Sequence, residues 1–223
     1  MNLNGLTIEF QDYATVKVTQ KNHGLADSKY IAMEDFMKAI EASRKEDSQV
    51  SKTFSTPILP NTPDGKITTL GYEEYSNDQF SIILKREKGN IDFQYFDQTF
   101  PSVGHPRLLF KVQVADNTVV TTYVVAVKDT VITDETEIYE YPFSNVFHRG
   151  RVCWGQTKLP RFDSTAYLKS LPDIFLSSPC NNDNYGHNLS GLEYRPLLEE
   201  LSGKDFKEEY LKPMNINYGQ WLK

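Results

Sequence analysis

Cysteine is almost missing from this chain: Cys153 and Cys180, 27 positions apart, are the only two in 223 residues. Two thiols cannot make the disulfide framework of a small secreted scaffold, and a reducing compartment would keep both free. Long apolar runs are missing as well, and no stretch of the sequence approaches the ~20 residues that cross a bilayer. The first residues, Met1-Asn2-Leu3-Asn4, carry neither the basic start nor the apolar segment of a secretory leader, so a cytoplasmic protein without a membrane partner is expected. Basic charge is in deficit, 24 Lys and Arg against 30 Asp and Glu for a formal −6. That balance argues against a broad nucleic-acid surface, which collects cations on one face. Internal repeats and low-complexity tracts are also lacking.

What is present suits a folded core: 39% hydrophobic and 13% aromatic residues over a length that can bury one. A single domain over 1–223 is expected, with an N-terminal strand pair and helix to about residue 45 and a C-terminal helical extension from about residue 164. Leu6–Phe10 and Thr15–Val18 alternate with the period of half-buried strands. Met33, Phe36, Met37 and Ile40 recur at helical spacing and predict a helix over Met33–Arg44, with a connector from Lys45 to about Gly65. Strand patterns follow at Phe80–Lys85, Ile91–Phe96, Arg107–Val114 and Val119–Val127. Lys88–Asn90, Pro101–Pro106 and Asp116-Asn117 read as the links between them. The last pair is the clearest hairpin. Asp129–Gly155 is irregular, the kind of segment that carries chemistry. Helices are expected at Ser164–Phe175, Leu192–Leu201 and Asp205–Leu211, with Ser164 as a cap and Pro172 as a break. The sum is an α+β domain with an antiparallel meander and flanking helices.

Chemistry concentrates in Asn145–Cys153, an Asn-x4-Gly-x2-Cys segment. A thiolate can hold an acyl group as a thioester. A fixed amide N–H beside it can stabilise the oxyanion that forms when the thioester is attacked. Each residue has a plainer reading beside this one. Cys153 would serve equally as a small buried hydrophobe. Asn145 suits a turn, where its side chain bonds its own backbone. Gly150 fits a positive φ ahead of the cysteine. His148 reads as a loop histidine before it reads as a base. Together with Arg149 and Arg151 it would favour the thiolate if these cations point inward. Cys153, Cys180, His148 and His187 match no structural-zinc spacing, so no metal and no cofactor are expected. Asn181–Gly186 reads as an exposed loop, with Asp183 and His187 the acid–base groups near it.

The Asn–Cys spacing resembles the active-site segment of ubiquitin-conjugating enzymes. A longer resemblance rests on Pro106–Phe110, Tyr123–Val127, Thr136–Tyr139, Pro142–Val146, Gly150–Gly155, Leu159-Pro160 and Phe175–Pro179. Together these fragments are similar to the prokaryotic family D of ubiquitin-conjugating-like proteins, typified by the PRTRC system protein B. The resemblance implies a bacterial conjugating-type transferase with Cys153 as thioester carrier and Asn145 as oxyanion donor. It implies three partners: a ubiquitin-like protein, an activating-enzyme homologue and a metalloprotease-like deconjugating protein. Two positions depart from the conjugating pattern. Phe143-Ser144 replaces the usual His-Pro before the asparagine, and Trp154 follows the cysteine where leucine is common. Two other functions remain open on these residues: an inactive scaffold that binds a ubiquitin-like protein, and a cysteine hydrolase pairing Cys153 with His148 or His187.

Overall fold

The computed structural model describes residues 5–10, 15–22, 25–38, 64–76, 79–159, 161–162 and 165–223. By its contacts the chain divides into two compact units, residues 1–52 and 53–223. In the first, three antiparallel strands run in chain order: β1 (Gly5–Phe10), β2 (Thr15–Asn22) and β3 (Leu25–Ala32). The alternating residues of β1 and β2 are strands as expected, and Val16 is fully buried. The sequence gives little sign of β3, whose Ser28 meets Thr19 of β2 hydroxyl to hydroxyl at 2.9 Å. Residues 33–38 follow as helix α1, in which Phe36 is buried and Met37 is half exposed. The remainder of the helix expected to Arg44, like Ser164 and its expected cap, lies outside the described residues.

The second unit is built on a six-stranded antiparallel sheet. Its strands are β4 (Ile67–Ser76), β5 (Gln79–Arg86), β8 (Arg107–Ala115), β9 (Thr118–Val127), β10 (Glu137–Tyr139) and β11 (Pro213–Asn217). They lie in the order β11-β10-β9-β8-β5-β4. Between β5 and β8 the chain leaves the sheet to form a separate ribbon, β6 (Gly89–Tyr95) with β7 (Gln98–His105). Pro101–Pro106, expected as a link, is therefore mostly strand. Proline is tolerated there because Pro101 and Ser102 together oppose Asp92 in a bulge, and the Asp92 carboxylate takes up the Ser102 amide at 2.9 Å. The expected β8–β9 hairpin is present. Asp116 and Asn117 take φ of 50° and 55°, the paired positive values that match a two-residue turn to strand twist.

Alternation along these strands sends side chains to opposite faces. Leu84, Phe110 and Val124 stand side by side across β5, β8 and β9 and are wholly buried. They join one large core with Phe93, Phe143, Phe175, Tyr194, Leu197 and Leu198. Truncating a ring such as Phe110 in such a core costs about 3–5 kcal/mol. The intervening Leu109, Val125 and Val127 form a second cluster with Ile138, packed against Met214, Ile216 and Trp221.

In the second unit the α-helices are shorter than the sequence predicts. Residues Thr165–Ser170 make a 3-10 turn that leads into α2 (Leu171–Leu176). Pro172 sits in the first turn of α2, where a missing N–H costs nothing, so it starts a helix and breaks none. Helix α3 (Tyr194–Leu201) buries Tyr194, Leu197, Leu198 and Leu201, one face at helical spacing. Asp205–Leu211 is not a helix. It holds only a 3-10 turn at Glu208–Tyr210, followed by β11 and a short α4 (Tyr218–Leu222). The architecture is α+β, dominated by antiparallel sheet. Among the described residues no helix is long and apolar enough to cross a membrane.

Candidate active site

Asn145 and Cys153 open and close a small hairpin. Val146 pairs with Val152, and the Phe147 amide donates to the Arg151 carbonyl at 2.8 Å. A tight turn at His148–Gly150 reverses the chain. The hairpin is fastened to the sheet, because the Val152 amide donates to the Thr122 carbonyl of β9 at 2.8 Å. Gly150 makes that close approach possible. Its φ is +85°, and a Cβ added there would lie 2.6 Å from the Val124 carbonyl oxygen. At the open end the Cys153 amide donates to the Asn145 carbonyl at 2.7 Å. Amide and thiol are thus brought to one end of one hairpin.

A second segment forms the facing wall. Cys180 bridges to Tyr95 of β6, with its amide on the Gln94 carbonyl and its carbonyl receiving the Phe96 amide, both at 2.9 Å. The Asn145 side-chain amide spans the two walls and donates to the Pro179 carbonyl at 3.0 Å. That bond uses one N–H of the amide and holds its plane. The space between is an open groove of about 480 Å³, lined by Asn145, Cys153 and Trp154 on one side and Pro179, Asn181 and Asp183 on the other. Cys153 is partly exposed to it. The Asn-rich loop therefore borders the cysteine, and Asn181 is turned inward on itself by bonds with Asp183 at 2.7 and 3.0 Å.

The two departures from the conjugating pattern have structural consequences. Phe143 is fully buried, stacked on the His105 ring at 4.4 Å and tilted against Phe93 at 5.3 Å. Ser144 is buried too, and its amide and hydroxyl both donate to the Tyr194 hydroxyl, at 3.3 and 3.1 Å. Tyr194 in turn donates to the Cys180 sulfur at 3.3 Å, and that thiol donates to the Gln94 carbonyl at 2.9 Å. The root of the Asn145 hairpin is thus tied through α3 to β6 by a buried relay. Trp154 sets its ring edge against Phe175 of α2 at 6.0 Å. Phe143 and Trp154 act by packing, Ser144 by hydrogen bonding.

The two cysteines differ sharply. Cys180 is buried, and burial pushes its thiol up to about 11 despite the opposing bonds from Tyr194 and Ser144. It is a structural thiol. Among the described residues the Cys153 sulfur has no hydrogen bond to an imidazole. His148 turns to Glu140, with Nδ1 3.1 Å from Oε1, and Arg151 stacks over the Phe147 ring at 4.7 Å. Both side chains are therefore engaged elsewhere. The four residues weighed for zinc do not form one ligand group. His148 and His187 come together instead with Glu140, the ligand atoms of all three lying within 4.8 Å of one another.

Three features of the site were not read from the sequence: the Pro179 carbonyl, the Ser144–Tyr194–Cys180 relay and Glu140. The first is a backbone group with no side-chain signature. The relay joins residues as far apart as Ser144 and Tyr194, 50 positions along the chain, and Glu140 belongs to no local motif.

The model of one protein family, described as prokaryotic E2 family D, matches residues 38–214, well over half of the chain. The chain belongs to prokaryotic E2 family D. Membership in an E2 family carries a ubiquitin-conjugating-like role in general, with a ubiquitin-like protein and an activating enzyme as the kinds of partner. No curated protein and no solved structure matches this E2-like chain.

Proposed function

We propose that this family D protein is a thioester-forming transferase, with Cys153 as the carrier of a ubiquitin-like protein. The observation that carries the reading is the shared groove, in which a partly exposed thiol and the Asn145 amide meet at one end of a hairpin. In the charging step the Cys153 thiolate attacks the carbonyl of the thioester held by the activating enzyme, whose own thiolate leaves. In discharge an amine attacks the new thioester, a tetrahedral oxyanion forms, and its collapse expels the Cys153 thiolate. The Asn145 side-chain N–H not used by Pro179 stabilises that oxyanion. Gly150 and His148 act in support, one by letting the hairpin dock on β9 and the other by fixing its tip through Glu140. The step requires no cofactor on the protein.

A hydrolase would need an imidazole against the sulfur, and the His148–Glu140 contact favours transfer over a pairing of Cys153 with His148. The direct test combines the protein with its cognate activating-enzyme homologue, ubiquitin-like protein and ATP, followed by a non-reducing gel. An adduct that collapses with excess thiol is expected, and Cys153→Ser should replace it with a thiol-resistant ester. Absence of any adduct under these conditions, with the partners shown to bind, would leave the binding-scaffold reading in its place. A thiol-sensitive link mapped to Cys180 by mass spectrometry would overturn the assignment.

A further inference from the structure

We propose that Glu140, His148 and His187 form a binding site for a divalent transition-metal ion, with Zn²⁺ the expected occupant. The three come from separate places: Glu140 directly after β10, His148 at the tip of the Asn145–Cys153 hairpin, and His187 just past the Asn-rich loop. One ligand atom from each lies within 4.8 Å of the other two. The imidazoles of His148 and His187 face one another with ring centroids 6.2 Å apart and planes inclined by 37°. His148 Nδ1 and Glu140 Oε1 are 3.1 Å apart. That matches the about 3.3 Å between two ligands of one tetrahedral zinc with bonds of about 2.0–2.1 Å. His148 is 73% exposed on its side chain, and His187 is half-buried. Their rings are thus able to turn and close the remaining separation around an ion.

A surface ion pair is the competing account, and Glu140 argues against it. Its residue is 3% exposed, and its second oxygen, Oε2, is buried with no hydrogen-bond partner among the described residues. A carboxylate oxygen taken from water and left unpartnered is costly, and an ion pair through Oε1 does nothing for it. A cation bound at the carboxylate compensates both oxygens at once. Two imidazoles and one carboxylate are a borderline donor set that suits zinc and its neighbours over magnesium or calcium. Glu140 and His148 also line an open groove of about 600 Å³ with Lys111, Tyr123 and Trp221, so water can fill a fourth coordination position. Lys111 of that groove donates to the Leu222 carbonyl at 2.7 Å. The consequence is mechanical. A bound ion would clip the hairpin that carries Cys153 to the segment that leads out of the facing wall of its groove.

Ion binding at the site is tested without the thioester chemistry. The full chain bearing Cys153→Ser, which removes the accessible thiol as a rival ligand, is stripped with a chelator and titrated with Co²⁺ and then Zn²⁺. One ion per chain is expected, giving a Co²⁺ visible spectrum without a thiolate charge-transfer band, and Zn²⁺ should displace the cobalt. His148→Ala changes an exposed residue and His187→Ala a half-buried one, and both should fold. Each should weaken binding by on the order of 10–100-fold or more, since even supporting partners of metal ligands matter on that scale. Glu140→Gln, checked for folding by circular dichroism, should do the same. Zinc should also slow hydrogen exchange in 145–153. No saturable one-to-one binding, or binding that the two histidine variants leave unchanged, overturns the proposal.

Discussion

The amide of Cys153 donates to the carbonyl of Asn145 at 2.7 Å, so the two residues of the conjugating motif are joined by backbone before any side chain acts. Asn145 also holds a φ of 65°, a left-handed conformation that asparagine and glycine accept more readily than alanine. Replacement by alanine would therefore mix backbone strain with loss of the amide. Asn145→Gly keeps the conformation and deletes only the side chain. Charging of Cys153 should stay largely intact in this variant, while discharge to an amine slows by about 10²–10³-fold. Single-turnover discharge, followed on a gel, reads the difference. Equal loss in both steps would assign Asn145 to shaping the loop alone.

The contrast between the two thiols predicts selective labelling. Cys153 opens on a groove, whereas Cys180 is buried, bonded to Gln94 and held up to about 11 by that burial. Iodoacetamide at neutral pH should modify Cys153 in the native protein and reach Cys180 only after denaturation. Peptide mass spectrometry before and after guanidinium provides the check.

Gly150 carries the docking of the hairpin. A methyl group there would sit 2.6 Å from the Val124 carbonyl oxygen and 3.1 Å from the Val125 side chain, at a φ of +85°. Gly150→Ala should cost about 1–3 kcal/mol from backbone strain, before the clash is counted. Denaturant melts should show lowered stability, and charging should fall because Cys153 is displaced with the hairpin. Gly155→Ala is the control: its φ is also positive, and nothing lies within 4 Å of an added Cβ.

His105 makes stability depend on mild acid. Its ring is stacked between Phe93 and Phe143, Nδ1 meets the Val103 carbonyl at 3.1 Å, and Nε2 is buried without a partner among the described residues. Burial, helped by the Arg86 guanidinium and opposed by the Val103 bond, holds it down to about 3 from 6.5. Between those values the unfolded chain binds a proton that the folded chain does not. The stability is fully present above pH 6.5 and declines as pH falls towards 3, by about 2 kcal/mol at pH 5. Urea midpoints at pH 7 and pH 5 should show the loss, and His105→Phe should flatten it. Carboxylates, which titrate near pH 4 when unfolded, contribute little in that interval.

Much of the second unit is legible in one dimension because its cause is local. Strands β5, β8 and β9 announce themselves by period-two alternation, and Asp116-Asn117 announces their turn by the φ values those residues tolerate. Strand β7 is hidden by Pro101, which normally argues against a strand and is accommodated here only by a bulge. Strand β11 was concealed differently. Pro213–Asn217 is short and opens on a proline, and it becomes a strand by pairing with β10, 74 or more residues earlier in the chain. Asp205–Leu211 is expected as a helix on its pattern, but its neighbours are spent elsewhere: Gly104 packs so closely under it that a Cβ would lie 2.3 Å from the Lys204 carbonyl.

The site divides in the same way. The sequence by itself determined the candidate groups of the site: the thiol of Cys153, the amide of Asn145 and the glycine that lets the turn between them form. These are properties of residue type and short spacing, and no folding is needed to state them. Tertiary structure decided how they are held. Folding brought the Pro179 carbonyl to the Asn145 amide and buried Cys180 so that only one thiol faces the groove. It also set Glu140 beside two histidines that the sequence placed 39 positions apart. Such contacts rest on burial and on the closure of long loops, and neither is written in the residues near a motif.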